Sequence, residues 1–135
     1  MSADTKNRYI EAVGRRKTAI ARVRITPSTK SSFTVNDKDI KDYFVTEELQ
    51  NIAEEAVSKS GAGEKFTVTV RVIGGGIHAQ AEAVRHGLSR TLVERDENVK
   101  NTLKKLGFLK RDSRQVERKK FGLKKARKSP TWSKR

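Results

Sequence analysis

Hydrophobic and polar residues alternate along residues 9–13, 18–25 and 66–73. A period of two residues is typical of β-strands in which one face is buried and the other is exposed. In the second stretch the predicted buried face consists of Ala19, Ala21, Val23 and Ile25. The opposite faces of the second and third stretches carry Arg22, Arg24 and Arg71. A shorter strand is predicted at residues 33–35, before a turn. The segment GRRK, residues 14–17, is expected to interrupt the first strand.

Other stretches have the spacing of amphipathic helices. Thr46 is a favourable N-cap, and apolar residues follow it at intervals of three and four up to Val57. Three glycines at residues 74–76 then precede a longer helical stripe made of Ile77, Ala81, Val84, Leu88 and Leu92. A short helix is predicted at residues 96–106, with Gly107 as its end. Its inward residues are expected to be Val99, Leu103 and Leu106.

This order of strands and helices predicts an α+β fold, specifically a two-layer α/β sandwich with one mostly antiparallel sheet and helices on one face. The other face of the sheet, which carries the three arginines, is expected to be open. Guanidinium groups on an open face are typical of phosphate and nucleic-acid recognition. We predict a globular body at residues 1–107 and a long extended basic tail at residues 108–135.

The charge distribution agrees with an RNA-binding tail. The chain of 135 residues has 31 lysines and arginines against 16 acidic residues, a net charge of +15. Residues 104–135 hold 14 of the basic and 2 of the acidic residues. Apolar residues interrupt these cations too irregularly for an amphipathic membrane-surface helix. Such a composition suits an extended strand that places cations on phosphates and rings on bases or in crevices.

Several function classes are disfavoured by the residues that the chain lacks. The absence of cysteine excludes disulfides and thiolate metal sites. No apolar run reaches the length of a membrane span, and residues 1–8 lack the apolar core of a signal peptide, so we expect an intracellular protein without a membrane partner. His78 and His86 belong to no recognisable set of nucleophile, base and orienting residue, which predicts no enzyme activity, metal, cofactor or small-molecule substrate. His86 is expected to be a surface histidine, with RNA contact by His86 or Arg85 as the alternative.

The three glycines at residues 74–76 leave two alternatives open. They lack the lysine and hydroxyl residue of a nucleotide-binding phosphate loop, and Ala79 replaces the third glycine of a dinucleotide motif. The segment is therefore either a close approach of the backbone to an RNA phosphate or a tight turn. The main alternative for the function of the chain is a free RNA-binding or RNA-annealing protein that acts outside a larger assembly, and a third is a phosphate-handling enzyme that uses these glycines and His78.

Three blocks of sequence resemble one family. The blocks are GRRKTAIARVRI at residues 14–25, VRVIGGGIHAQAEAVRHGLSRTL at residues 70–92 and DSRQVERKKFGLKKARKSPTWSKR at residues 112–135. In this order they are similar to the bacterial form of the universal S-nine family of small-subunit ribosomal proteins. The resemblance implies a fold like the second domain of ribosomal protein S-five, with a left-handed crossover, an exception to the usual rule.

The resemblance also implies the partners. Members bind small-subunit ribosomal RNA in the head of the subunit, in the cytoplasm, beside neighbouring head proteins, and the tail reaches the anticodon stem-loop of the peptidyl-site transfer RNA. The implied transfer-RNA contacts are Ser133, Lys134 and Arg135. The family usually has phenylalanine where this chain has Trp132, which we expect to anchor the tail.

The predicted ribosomal-RNA contacts come from two sources. The resemblance implies Arg15, Arg16, Lys17, Arg118, Lys119, Lys120, Lys125, Arg127 and Lys128. The distribution of charge adds Arg22, Arg24, Arg71, Arg85 and Arg114.

Overall fold

The structure is a computed structural model that describes residues 9–60 and 65–111, together with Arg114, Phe121, Gly122 and Lys124. The strands are β1 (Ile10–Arg16), β2 (Ala19–Pro27), β3 (Ser32–Val35), β4 (Lys38–Asp39) and β5 (Phe66–Ile73). The helices are α1 (Ile40–Tyr43), α2 (Glu47–Ser60), α3 (Ile77–Arg95) and α4 (Lys100–Lys105), with a 3-10 turn at Glu97–Val99. This is a mixed α/β fold, as predicted.

The strands form one five-stranded sheet in the order β1-β2-β5-β3-β4. All neighbouring strands are antiparallel except β3 and β5, which run parallel. The alternation predicted for β2 is confirmed, because Ala19, Ala21, Val23 and Ile25 are fully buried. The helix α3 packs against β1 and β2, and α2 packs against α3. Among the described residues no helix is long and apolar enough to cross a membrane.

The expected interruption at GRRK is wrong. The first strand continues through Gly14 and ends at Arg16, where it pairs with Ala19 of β2. The chain reverses in the turn at Lys17, which has a φ of 52°. Pairing with β2 satisfies the backbone, and strand geometry does not require apolar side chains at its exposed end. Charge in this segment therefore did not mark the end of the strand.

Two apolar residues predicted to face inward are exposed. Ile77 is 47% exposed at the first position of α3, beside Gly76, where an added Cβ atom would meet no neighbour within 4 Å. Leu106 is 42% exposed because α4 has already ended. Gly107, with a φ of 82°, turns the chain back so that Phe108, only 7% exposed, enters the core. The Phe108 amide donates to the carbonyl of Leu103, a 3.1 Å bond.

The helix α3 approaches β1 at two glycines. A Cβ atom on Gly14 would collide with the carbonyl oxygen of Ala83 and the backbone nitrogen of Gly87. A Cβ atom on Gly87 would lie 2.7 Å from Cγ2 of Val23. Neither neighbouring backbone can move alone, since one belongs to the sheet and the other to the helix. The absence of side chains at both positions sets the distance between helix and sheet.

We expect Gly14→Ala to lower the free energy of unfolding by about 3 kcal/mol, because the added methyl group forces α3 away from a close-packed sheet. Urea denaturation followed by circular dichroism measures the change. The matched control is Gly76→Ala, which adds a methyl group in open space and is expected to cost about 1 kcal/mol or less at the start of α3. Equal stability of the two variants would contradict the close packing at Gly14.

Candidate nucleic-acid interface

The open face of the sheet carries three of the predicted RNA-contacting arginines. Arg22 on β2 lies directly opposite Arg71 on β5, and Arg24 follows on the same face of β2. All three side chains are exposed, in agreement with the sequence pattern. Their period-two spacing brings them together because β2 and β5 are hydrogen-bonded neighbours.

Each of these three arginines already has a carboxylate partner. Glu11 lies 3.1 Å from both Arg22 and Arg24, and Asp37 lies 3.1 Å from Arg71. Burial by itself would raise the pKa of Glu11, but the hydrogen bonds and charges of the two arginines outweigh it and hold the pKa below its ordinary value. Glu11 is therefore anionic at neutral pH, and a phosphate that binds this face must compete with it.

A second group of basic residues lies where β1 meets α3. Arg16 forms an ion pair with Glu82 at 2.6 Å, and its side chain is only 13% exposed. Its guanidinium also donates to the carbonyl oxygen of Arg114 at 3.1 Å. Arg16 thus links the sheet, α3 and the chain that follows α4.

Arg85 makes a similar link on the neighbouring turn of α3. Its guanidinium lies 3.0 Å from the carboxylate of Glu55 on α2 and 4.8 Å from the centre of the Phe108 ring. An ion pair and a cation–π contact together fix the side chain in one orientation. Arg85 therefore joins two helices to the first residue after Gly107.

His86 is half-buried, so its prediction as a surface histidine is wrong. The backbone N–H of Arg15 donates to Nδ1 of His86 at 3.2 Å, which seats the ring between β1 and the chain after α4. Burial lowers the pKa of His86; hydrogen bonds with the backbone of Leu109 and Arg15 oppose this effect, and the positive charges of Arg90 and Arg111 add to it, so the pKa lies below its ordinary value. A histidine held neutral in this way keeps a nitrogen lone pair available to accept from the β1 backbone.

The remaining basic residues of this region are less constrained. Arg15 and Lys17 are exposed and form no ion pair with any acidic residue that the structure describes. Sequence reasoning missed Arg90 and Arg111, which lie near Arg15 and His86. The spacing of four residues between His86 and Arg90 places both on one face of α3 and was the available signal for Arg90. No pattern in the sequence pointed to Arg111.

The three glycines before α3 form a tight turn against the hairpin of β1 and β2. Gly74 and Gly75 both have positive φ, and a Cβ atom on Gly74 would lie 2.6 Å from the carbonyl oxygen of Thr18. The side-chain amide nitrogen Nε2 of Gln80 donates to the carbonyl oxygen of Gly74 at 3.0 Å. This packing favours the tight turn over the phosphate contact, since the hairpin occupies the space beside the glycines. In the part of the chain that is described, no cluster of three or more His, Asp or Glu side chains is arranged to hold a metal ion.

The other predicted contacts lie outside the described residues. They are Arg118, Lys119, Lys120, Lys125, Arg127, Lys128, Trp132, Ser133, Lys134 and Arg135.

An open sheet face with paired arginines, together with a second basic region beside α3, is an arrangement suited to RNA rather than to a small substrate. The class is a ribosomal protein: the family model for ribosomal protein S9/S16 matches residues 14–135. The chain belongs to this family, as the three sequence blocks predicted, and is a structural protein of the small ribosomal subunit that binds ribosomal RNA.

We expect the stability of the protein to fall as pH drops from about 7 to about 5.5, the range in which histidine titrates. The unfolded chain binds a proton at His86 with ordinary affinity, whereas the folded chain resists protonation, so acid favours unfolding. The free energy of unfolding, measured by urea titration at several pH values, should depend less on pH in His86→Gln. His78→Gln, which removes the other histidine of the same helix at an exposed position, is the control. Parallel profiles for wild type and His86→Gln would refute the burial argument.

Proposed function

We propose that the body of this protein binds ribosomal RNA in the head of the small subunit, while its basic tail reaches the peptidyl site. There, Ser133, Lys134 and Arg135 contact the backbone of the transfer-RNA anticodon stem-loop. The observation that carries the proposal is the family match, which extends through residue 135 and so includes this ending. The 14 basic residues between positions 104 and 135 supply the charge for such a path through RNA.

The proposed ribosomal-RNA contacts of the body fall into groups according to the partners that these side chains have in the structure. Arg15 and Lys17 are exposed without a described carboxylate partner, so they engage phosphates directly. Arg22, Arg24 and Arg71 exchange carboxylate for phosphate on binding. Arg16 and Arg85 already hold the chain after α4, through the carbonyl oxygen of Arg114 and the ring of Phe108. RNA contacts by Arg16, Arg85 and Arg114 would add to these interactions. In the tail the proposed contacts are Arg118, Lys119, Lys120, Lys125, Arg127 and Lys128.

The finer features of the fold belong to the same proposal. We infer a two-layer sandwich like the second domain of ribosomal protein S-five, followed by the extended tail at residues 108–135. The parallel neighbours β3 and β5, joined by a connection that contains α2, support this topology. The first residues after 107 also belong to the packed body, because Phe108 is buried and Leu109 packs against the core. The protein acts in the cytoplasm beside other head proteins, without a cofactor and without enzyme activity.

Trp132 anchors the end of the tail in this proposal. An aromatic ring seated in an RNA or protein crevice restricts the residues that follow it, which lowers the entropy cost of placing Arg135 on a phosphate. We expect Trp132→Ala and Arg135→Gln each to weaken peptidyl-site transfer-RNA binding by about tenfold, the value of one charge-assisted contact at its lower limit. Filter binding of transfer RNA to programmed small subunits measures the effect. Unchanged affinity in Trp132→Ala beside reduced affinity in Arg135→Gln would exclude anchoring.

Truncations separate the two roles of the tail. Deletion of Ser133, Lys134 and Arg135 is expected to leave assembly into subunits intact while weakening transfer-RNA binding. Deletion of residues 115–135 retains Phe108 and Arg114 but removes most of the tail charge, and is expected to reduce incorporation as well. Sucrose-gradient migration of the variants measures incorporation. Equal incorporation of both truncations would contradict an assembly role for residues 115–132.

A photoreactive group at position 135 tests the location of the ending directly. In small subunits with message and peptidyl-site transfer RNA, we expect a crosslink to the anticodon stem-loop. The same group at Lys30, an exposed residue of the body, is the control. Crosslinks from position 135 to ribosomal RNA alone would remove the transfer-RNA contact from the proposal and leave the ribosomal-RNA role in place.

If Arg22 and Arg24 exchange Glu11 for a phosphate, removal of the competing carboxylate should strengthen RNA binding. We expect Glu11→Gln to raise affinity for small-subunit ribosomal RNA by about threefold, since two unit charges about 6 Å apart in water repel by about 0.7 kcal/mol. Competition between variant and wild type during subunit reconstitution measures the change. The control is Glu94→Gln, which removes an exposed carboxylate on α3. Equal affinity of the two variants would place the RNA away from this face.

A further inference from the structure

A cleft lies between the end of β1, the middle of α3 and the chain that follows α4. Its volume is about 520 Å³, and the described residues that line it are Val13, Arg15, His86, Arg90, Leu109 and Arg111. Three of these six side chains are guanidiniums, and none is a carboxylate. The three arginines come from three separate elements, so only the folded chain brings them together. We refer to this site as the arginine cleft.

The arginines of the cleft differ from most other arginines of the body. Arg16, Arg22, Arg24, Arg71 and Arg85 each form an ion pair with an acidic side chain. Within the described residues, Arg15, Arg90 and Arg111 form none, although acidic side chains are plentiful in the body. Carboxylates thus pair with the arginines on the sheet face and beside α2, whereas no acidic residue that the structure describes pairs with these three.

One of the three guanidiniums is held in position by the backbone. Arg90 donates from one terminal nitrogen to the carbonyl oxygen of Val13, which fixes the side chain against the end of β1. A guanidinium has five N–H donors, so this bond leaves others for a ligand. His86 supports the same wall, because its ring accepts from the backbone N–H of Arg15. The binding groups are therefore partly preorganised before any ligand enters.

Three positive charges share the cleft with the His86 ring. Arg90 and Arg111 line the cleft together with His86, and their positive charges add to the effect of burial in lowering the pKa of its ring. Like charges held close together repel, and an anion between them converts that repulsion into attraction. Because its pKa is lowered, the imidazole adds no further positive charge at neutral pH.

We propose that the arginine cleft binds one phosphodiester group of the ribosomal-RNA backbone and thereby ties the root of the tail to the body. The inference rests on the proposed ribosomal-RNA contacts of the body and adds Arg90 and Arg111 to them. Arg15 and Arg90 hold the phosphate from the body, while Arg111 closes on it from the chain after α4. Guanidiniums bind phosphate oxygens through two parallel hydrogen bonds, a geometry that ammonium groups cannot reproduce. His86 is a positioning residue in this arrangement.

The first test compares charge-removing variants of the full chain. Arg90→Gln and Arg111→Gln compete with labelled wild type for small-subunit ribosomal RNA in a reconstitution mixture that contains the other subunit proteins. Each is expected to lose about tenfold in affinity or more, the effect of one charge-assisted contact. The controls Lys30→Gln and Lys100→Gln remove one exposed positive charge elsewhere on the body and are expected to lose about threefold or less.

A second measurement separates a shared phosphate from general electrostatics. Because both arginines bind the same phosphate, the double variant should lose less affinity than the product of the two single losses. In the Arg→Gln variants, the plot of the logarithm of RNA affinity against the logarithm of salt concentration should become less steep by about 0.7–0.9, which corresponds to the loss of about one phosphate contact. Arg111→Lys should retain the salt slope but lose part of the affinity, because it keeps the charge without the planar fork.

Folding is measured in the same variants. Arg90 also binds the backbone of β1, so thermal unfolding of each variant is followed by circular dichroism. Arg111→Gln removes no hydrogen bond to the body in the described structure and supplies the decisive result. If the wild type binds RNA and the cleft variants bind it as well as the lysine controls do, the phosphate site is overturned. The proposed function is not affected by that result. Failure of the wild type itself to enter subunits would overturn both.

Discussion

The contact between α3 and β1 at Gly14 and Gly87 is the constraint on which the rest of the structure depends. Without side chains at these positions, the helix lies directly on the sheet, and Val23 fills the space beside them. The close approach brings His86 within hydrogen-bonding distance of the β1 backbone. It also places the basic residues of α3 beside those of β1. Larger side chains at Gly14 and Gly87 would separate these groups by more than a hydrogen bond can span. The interface between the body and the start of the tail, residues 108–111, would then be lost.

Carboxylates decide how the positive charge of the body is distributed. Glu11, Asp37, Glu55 and Glu82 pair with five arginines, which lowers the repulsion that a net charge of +15 imposes on the folded chain. The arginine cleft is left outside this pairing. Paired arginines exchange one anion for another when RNA binds, so their net gain is small, whereas arginines that have no carboxylate partner among the described residues gain the full interaction. The arrangement of acidic residues therefore matters as much for RNA binding as the number of basic ones.

Prediction from the sequence succeeded where one period governed a whole element. The strand at residues 66–73 and the buried face of β2 follow from alternation, because each pairs on both sides within the sheet. It failed at the ends of elements. Ile77 and Leu106 continue an apolar stripe, but the helices start or end there and no neighbour covers them. GRRK was expected to interrupt the strand, although the hydrogen-bonding ladder with β2 continues through Arg16.

The sequence by itself determined the class of fold, the open arginine-bearing face of the sheet and the family, because local period, charge and ordered motifs are properties of the linear chain. Only the tertiary structure decided which charges are neutralised and which converge. Arg90 and Arg111 are 21 residues apart along the chain, and Arg15 lies on another element, so no spacing rule relates the three. Their meeting around His86 depends on the packing of α3 onto β1 and on the reversal at Gly107. Electrostatic energy depends on distance in space, which the linear order of residues does not contain.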